Sequence, residues 1–120
     1  MGNAYNVMAA TCPSRTVLHR IGARWTVFVV NALDNRPMRF TELKKHIRGI
    51  TSKALTETLR AMEYDGLISR TEVPAHPPHV EYALTDLGQS LLTPLRAVRE
   101  WAESHVSDIE RARAQADAQR

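Results

Sequence analysis

From Ile50 to Met62 the polar and apolar positions separate onto two sides of a helix. With Ser52 at zero and about 100° per residue, Ala54, Leu55, Thr58, Leu59 and Met62 share an arc of roughly 200–340°. Ser52, Lys53, Thr56 and Arg60 share a second arc of roughly 0–100°. The first side is short and mostly apolar, suited to packing. The second carries two cations and two hydroxyls and no large apolar group. Such a face, starting at the N-terminal end of a helix, suits the DNA major groove. The alternative is an ordinary solvated surface.

The neighbouring stretches give this helix a setting. Cys12-Pro13-Ser14 reads as a helix entrance, since proline suits the first turn. Val17, Leu18 and Ile21 then make a short apolar stripe that Gly22 ends. Trp25, Phe28, Val29, Ala32 and Leu33 keep helical spacing, although the β-branched content also permits a strand. Asp34-Asn35-Arg36-Pro37 is a turn cluster. A short helix follows with Phe40, Leu43 and Ile47 inward, then Arg48-Gly49-Ile50 as a tight connection, and Thr51 or Ser52 as cap of the next helix. Gly66 stops that helix. A short helix, a glycine-containing turn and a second helix with a polar outer face make a helix-turn-helix.

Leu67 to Val73 and His79 to Leu84 alternate as strands, and Pro74-Ala75-His76-Pro77-Pro78 between them must be a loop. Together they predict a β-hairpin wing. Thr85 caps a last helix whose positions Leu91, Leu95, Val98, Ala102, His105, Ile109, Ala112 and Ala116 step by four and three. Leu92 and Trp101 widen this seam, and Pro94 should bend or divide it. A seam this long exceeds what a small domain can cover, so a second copy of the chain is expected on it. Its dimer contacts would be Leu91, Leu95, Val98, Trp101, Ala102, His105 and Ile109.

The pattern predicts a mainly α (α+β) fold: a winged helix-turn-helix with a two-stranded β-hairpin wing and extra N- and C-terminal dimerisation helices. Residues 1–11 are expected to be a flexible arm, 12–109 the DNA-binding and dimerisation domain, and 110–120 a polar tail that frays.

With 120 residues the chain is long enough for one domain. The formal net charge of +3 is modest, but its distribution is not. From Arg36 to Arg60 the bases are Arg36, Arg39, Lys44, Lys45, Arg48, Lys53 and Arg60, against only Glu42 and Glu57. That zone carries about +5 and the remainder about −2, a plausible phosphate footprint. No apolar run approaches the roughly 20 residues of a membrane span, and no signal peptide is expected. The single cysteine excludes an intrachain disulfide and fits a cytoplasmic setting.

Five stretches taken together resemble the HxlR-type winged helix-turn-helix transcriptional regulators: Ile21-Gly22-Ala23-Arg24-Trp25-Thr26; Arg39-Phe40-Thr41-Glu42-Leu43; Gly49-Ile50-Thr51-Ser52-Lys53-Ala54-Leu55-Thr56; Leu59 to Arg70; and Val80 to Gly88. Ala23-Arg24 stands where that family usually has Gly-Lys, and Thr51 where serine is common. The resemblance implies homodimers on paired operator half-sites, with the helix from Thr51 as groove reader.

The candidate DNA contacts are Ser52, Lys53, Thr56 and Arg60 on the reading helix, with Arg60 far enough along to reach a phosphate. Arg39 and Lys44, with Lys45 and Arg48, are phosphate candidates. On the wing His76 and His79 are candidates for a minor groove or a phosphate; their spacing also suits a metal pair, but no Cys or acidic cluster completes a site, so no metal or cofactor is expected. Cys12, at a helix N-terminus, would have its thiolate favoured by the dipole and free amides. The resemblance makes it a redox-sensing candidate, because some members of that family use a cysteine there to sense oxidants or electrophiles. Trp25, Phe28, Tyr64 and Trp101 read as core and dimer contacts rather than a ligand cage, although a small-molecule effector between body and dimer helices is compatible with them. The expected function is a transcriptional regulator, a repressor by preference, acting as a homodimer on double-stranded operator DNA. The rival is a winged-helix protein-interaction module without DNA binding. With no phosphate loop, metal ligand set or nucleophile–base pair, an enzyme is not expected.

Overall fold

The structure, a computed structural model, describes residues 4–120; the first three residues of the expected arm lie outside that range. The described residues form six helices and one hairpin, in chain order α1 (Pro13–Ile21), α2 (Thr26–Ala32), α3 (Phe40–His46), α4 (Ser52–Tyr64), β1 (Ile68–Val73), β2 (His79–Leu84), α5 (Asp86–Gln89) and α6 (Leu92–Ala118). This is a winged helix-turn-helix.

The core forms where the apolar faces of α2, α3 and α4 meet. Val29, Val30, Leu43, Leu55 and Leu59 are its fully buried side chains, and Met62, Ile68 and Leu95 extend it. Ile47 and Ile50 are buried on either side of the α3–α4 turn, which anchors that turn from beneath. Gly49 between them has φ +87°, a left-handed conformation that suits glycine. Thr51 caps α4, its hydroxyl accepting from the Ala54 N–H at 3.0 Å.

β1 and β2 pair antiparallel, with Ile68 opposite Leu84 and Val73 opposite His79. Met38 exchanges two backbone hydrogen bonds with Tyr82, at 2.9 and 2.8 Å. The connection from α2 to α3 is therefore stitched to the wing, and Arg39 begins α3 beside that stitch. Thr85 links the wing to α5: its hydroxyl donates to the Gly66 carbonyl at 2.6 Å and accepts from the Gly88 N–H at 3.1 Å.

Several expectations are refined. α2 is a helix, not a strand, but Val30 joins Val29 in the core while Phe28 is 48% exposed. On α1 only Ile21 of the apolar stripe packs against the core; Val17 and Leu18 are more than half exposed. Segment 6–12 is not featureless: Ala9 N–H donates to the Asn6 carbonyl and Cys12 N–H to the Ala9 carbonyl, two successive turns. The last helical pattern is divided into α5 and α6 just before Pro94, whose ring and missing N–H cannot continue a helix from Ser90. Segment 110–120 is helical as far as Ala118, in keeping with alanine at every second position from Ala112 to Ala118.

α6 has 27 residues, about 40 Å. Leu95 is its only buried residue, so most of it stands clear of the body. The radius of gyration is accordingly 17.5 Å, against about 14 Å for a compact chain of this length.

Candidate nucleic-acid interface

The two arcs of α4 fall where the pattern puts them. Leu55, Leu59 and Met62 are buried, with Ala54 and Thr58 half-buried beside them. Ser52, Lys53 and Arg60 are exposed, and Thr56 is partly so. Thr56 Oγ1 donates to the Ser52 carbonyl at 2.8 Å, which uses its proton and leaves the hydroxyl oxygen able to accept. Among the described residues no ion pair engages Lys44, Lys45, Arg48, Lys53 or Arg60. Their charges are uncompensated by neighbouring carboxylates, as a phosphate-binding surface requires. At the capped N-terminus of α4 the backbone amides and the dipole add positive potential beside Lys53.

Arg36 differs from its neighbours. It pairs with Glu42 at 3.0 Å, and Glu42 also accepts from the Arg39 backbone N–H at 2.9 Å. That amide first, and the Arg36 guanidinium second, hold the Glu42 carboxyl below the usual range. One of the two acids of the basic zone, Glu42, is thus engaged at the entrance of α3, and Arg39, Lys44, Lys45 and Arg48 are all exposed around it.

The wing candidates separate. His76 is exposed in the loop. His79 is not free: its Nε2 lies 2.9 Å from Glu81 Oε2 and its side chain is only 14% exposed. Arg70, on β1 of the same wing, is exposed and only loosely paired with Glu72, at 3.7 Å.

Cys12 is partly exposed at the start of α1. Its Sγ lies 3.0 Å from Ser14 Oγ and accepts from the Asn6 N–H at 3.2 Å. The Ser14 hydroxyl foremost, then the Asn6 amide, lower the thiol's pKa.

The dimer candidates fall into two groups. Leu95 is buried in the chain's own core and Leu91 packs against it. Val98 and Trp101 are 61% and 55% exposed, Ala102 is exposed, and His105 and Ile109 are partly covered. Trp101 and His105 stack with ring centroids 4.6 Å apart, and His105 Nδ1 lies 2.8 Å from the Trp101 carbonyl. A cleft of about 490 Å³ lies between α2 and α6, walled by Val27, Phe28, Val98 and Ala102 among others.

The profile of the HxlR-like helix-turn-helix family matches residues 20–110. The chain belongs to that family. An uncharacterized HTH-type transcriptional regulator of Escherichia coli (strain K12), YtfH, is 38% identical over 104 residues, 87% of this chain and 82% of that protein. Among solved structures, that of ytfH from Salmonella typhimurium superposes with a TM-score of 0.82 at 36% identity, covering 92% of this chain and 98% of that one. The redox regulator HypR in its reduced form has a TM-score of 0.73 at 33% identity, over 82% and 97% of the two chains. As an HxlR-like protein, the chain is a DNA-binding transcriptional regulator of the helix-turn-helix type. No helix among the described residues is long and apolar enough to cross a membrane.

Proposed function

We propose that the chain is a homodimeric repressor that binds a two-half-site operator in the cytoplasm through α4. The observation that carries this reading is the outer flank of α4: Ser52, Lys53, Thr56 and Arg60 form a solvent-facing stripe whose two cations lack acidic partners. In this reading Lys53 and Ser52 meet base edges, Thr56 accepts or packs against a base, and Arg60 holds a phosphate. Arg39 and Lys44 grip the backbone next to the groove, and His76 reaches out from the wing.

The second copy would seat on α6, where Val98, Trp101 and Ala102 leave an apolar face open to water. Because Val98 and Ala102 also wall the cleft against α2, a partner there would close that cleft. A small apolar effector held in the closed cleft would act on the angle between the two subunits. Two-fold symmetry would then present two α4 helices to successive major grooves. Repression would follow from occupancy that excludes polymerase.

The experiment is selection of bound sequences from random duplexes, followed by titration of the selected operator against salt. A paired, inverted motif and an affinity that falls steeply with salt are expected. A shallow salt slope with no enriched motif would favour the protein-interaction module instead.

A thiol-responsive reading of Cys12 has its own support: a hydroxyl and an amide that stabilise the thiolate, in a chain similar to a protein named as a redox regulator. With one cysteine per chain, an oxidant would yield a disulfide to a small thiol or to a second copy. Diamide should then change operator affinity in the wild-type protein and not in Cys12→Ser. Equal responses in both would end this reading.

A further inference from the structure

Arg20, in the last turn of α1, ties its helix to two others at once. Its Nε donates to Asp65 Oδ2 at 2.7 Å, and Asp65 is the C-cap of the reading helix α4. Its guanidinium lies 5.8 Å from the centroid of the Tyr64 ring, the last residue of α4 and 85% exposed. Its backbone carbonyl accepts from Thr26 Oγ1 at 3.1 Å, and Thr26 is the buried first residue of α2. Behind this junction the helices are not packed tightly: a cleft of about 260 Å³, with Arg20, Thr26, Ala61 and Asp65 among its walls, separates α1 and α2 from α4.

Leu55, Leu59 and Met62 fix which side of α4 faces the core. A helix held along one apolar line can still rock about that line, because dispersion and burial are non-directional. A charge-assisted hydrogen bond at one end is directional. Asp65 is about 18 Å along the axis from Lys53; the buried Ile47 and Ile50 hold the turn at one end of α4, and the Arg20 restraint at the other end completes the two points that define its tilt.

We propose that Arg20 is a positioning residue for DNA reading: through Asp65 and Tyr64 it sets the tilt of α4, making α1 part of the reading apparatus. The proposal rests on the reading of α4 as the groove-contacting helix.

The test measures operator affinity, by fluorescence anisotropy on the selected duplex, for the full chain and for Arg20→Ala, Asp65→Ala and the double variant. Binding to a non-operator duplex at low salt and thermal melting are recorded alongside. Each single substitution is expected to weaken operator binding at least threefold or so, with the double variant no weaker than the worse single. Non-operator binding and the melting temperature should stay near wild type, and Arg20→Lys should recover part of the loss. Should Asp65→Ala not fold, the isosteric Asp65→Asn replaces it. Wild-type operator affinity in both singles, losses that multiply in the double, or operator and non-operator binding falling in parallel would each overturn the proposal. If the unaltered chain selects no duplex at all, the DNA-reading assignment of α4 fails, and this proposal with it.

Discussion

Gly88, on α5, lies against the backbone carbonyl of Leu67, so close that a Cβ at position 88 would overlap it and also press on a Leu84 methyl at 3.2 Å. The wing's exit therefore docks against its entrance through bare backbone, and Thr85 fastens the same corner by bonding to Gly66 and Gly88.

Gly88→Ala should force that corner open. We expect a loss of about 1–3 kcal/mol, read as a melting temperature lowered by several degrees. An unchanged melting temperature would mean that α5 yields without cost.

Lys53→Ala should weaken operator binding by about 1 kcal/mol or more and relax preference at one position of each half-site. Lys44→Ala should instead weaken all duplexes alike and reduce the salt slope by about two for the dimer, one phosphate contact from each subunit. A gel-shift series over salt and sequence separates the two behaviours.

Val98→Glu should place a carboxylate on the open face of α6. If a second copy seats there, the dimer should weaken by about 2 kcal/mol or more, because the charge would be buried without a partner. Sedimentation at graded concentration reads this directly, and a dimer of unaltered strength would move the interface elsewhere.

Ser14→Ala should raise the Cys12 pKa, since the Ser14 hydroxyl is the leading group that favours the thiolate. Alkylation by iodoacetamide should then slow at neutral pH and converge with wild type at alkaline pH, where both thiols are ionised. Identical rate–pH profiles would remove Ser14 from the account.

Glu42 has a depressed folded-state pKa, so its contribution to stability is full above the unfolded carboxyl pKa. It is lost as pH falls through the lower folded value. Glu42→Gln should flatten the acid limb of a stability–pH curve while the neutral region changes little in slope. An acid limb of the same steepness in both proteins would show that other carboxylates govern it.

What the chain's linear order determines is the set of elements and their faces. The two arcs of α4 are legible because a helix repeats every 3.6 residues, and the Thr51 cap, Gly49, Gly66 and Thr85 mark its neighbours by local chemistry. The division at Pro94 is legible for the same reason: it depends on one ring and one missing N–H. Relations between distant residues are not local, and these only the tertiary structure decided. Met38 pairs with Tyr82, Arg20 reaches Asp65, and Leu95 turns into the core while Val98 stays in water. Each depends on where two elements come to lie in space. Periodicity tells a side chain which face of its own helix it occupies, and only packing decides what stands opposite.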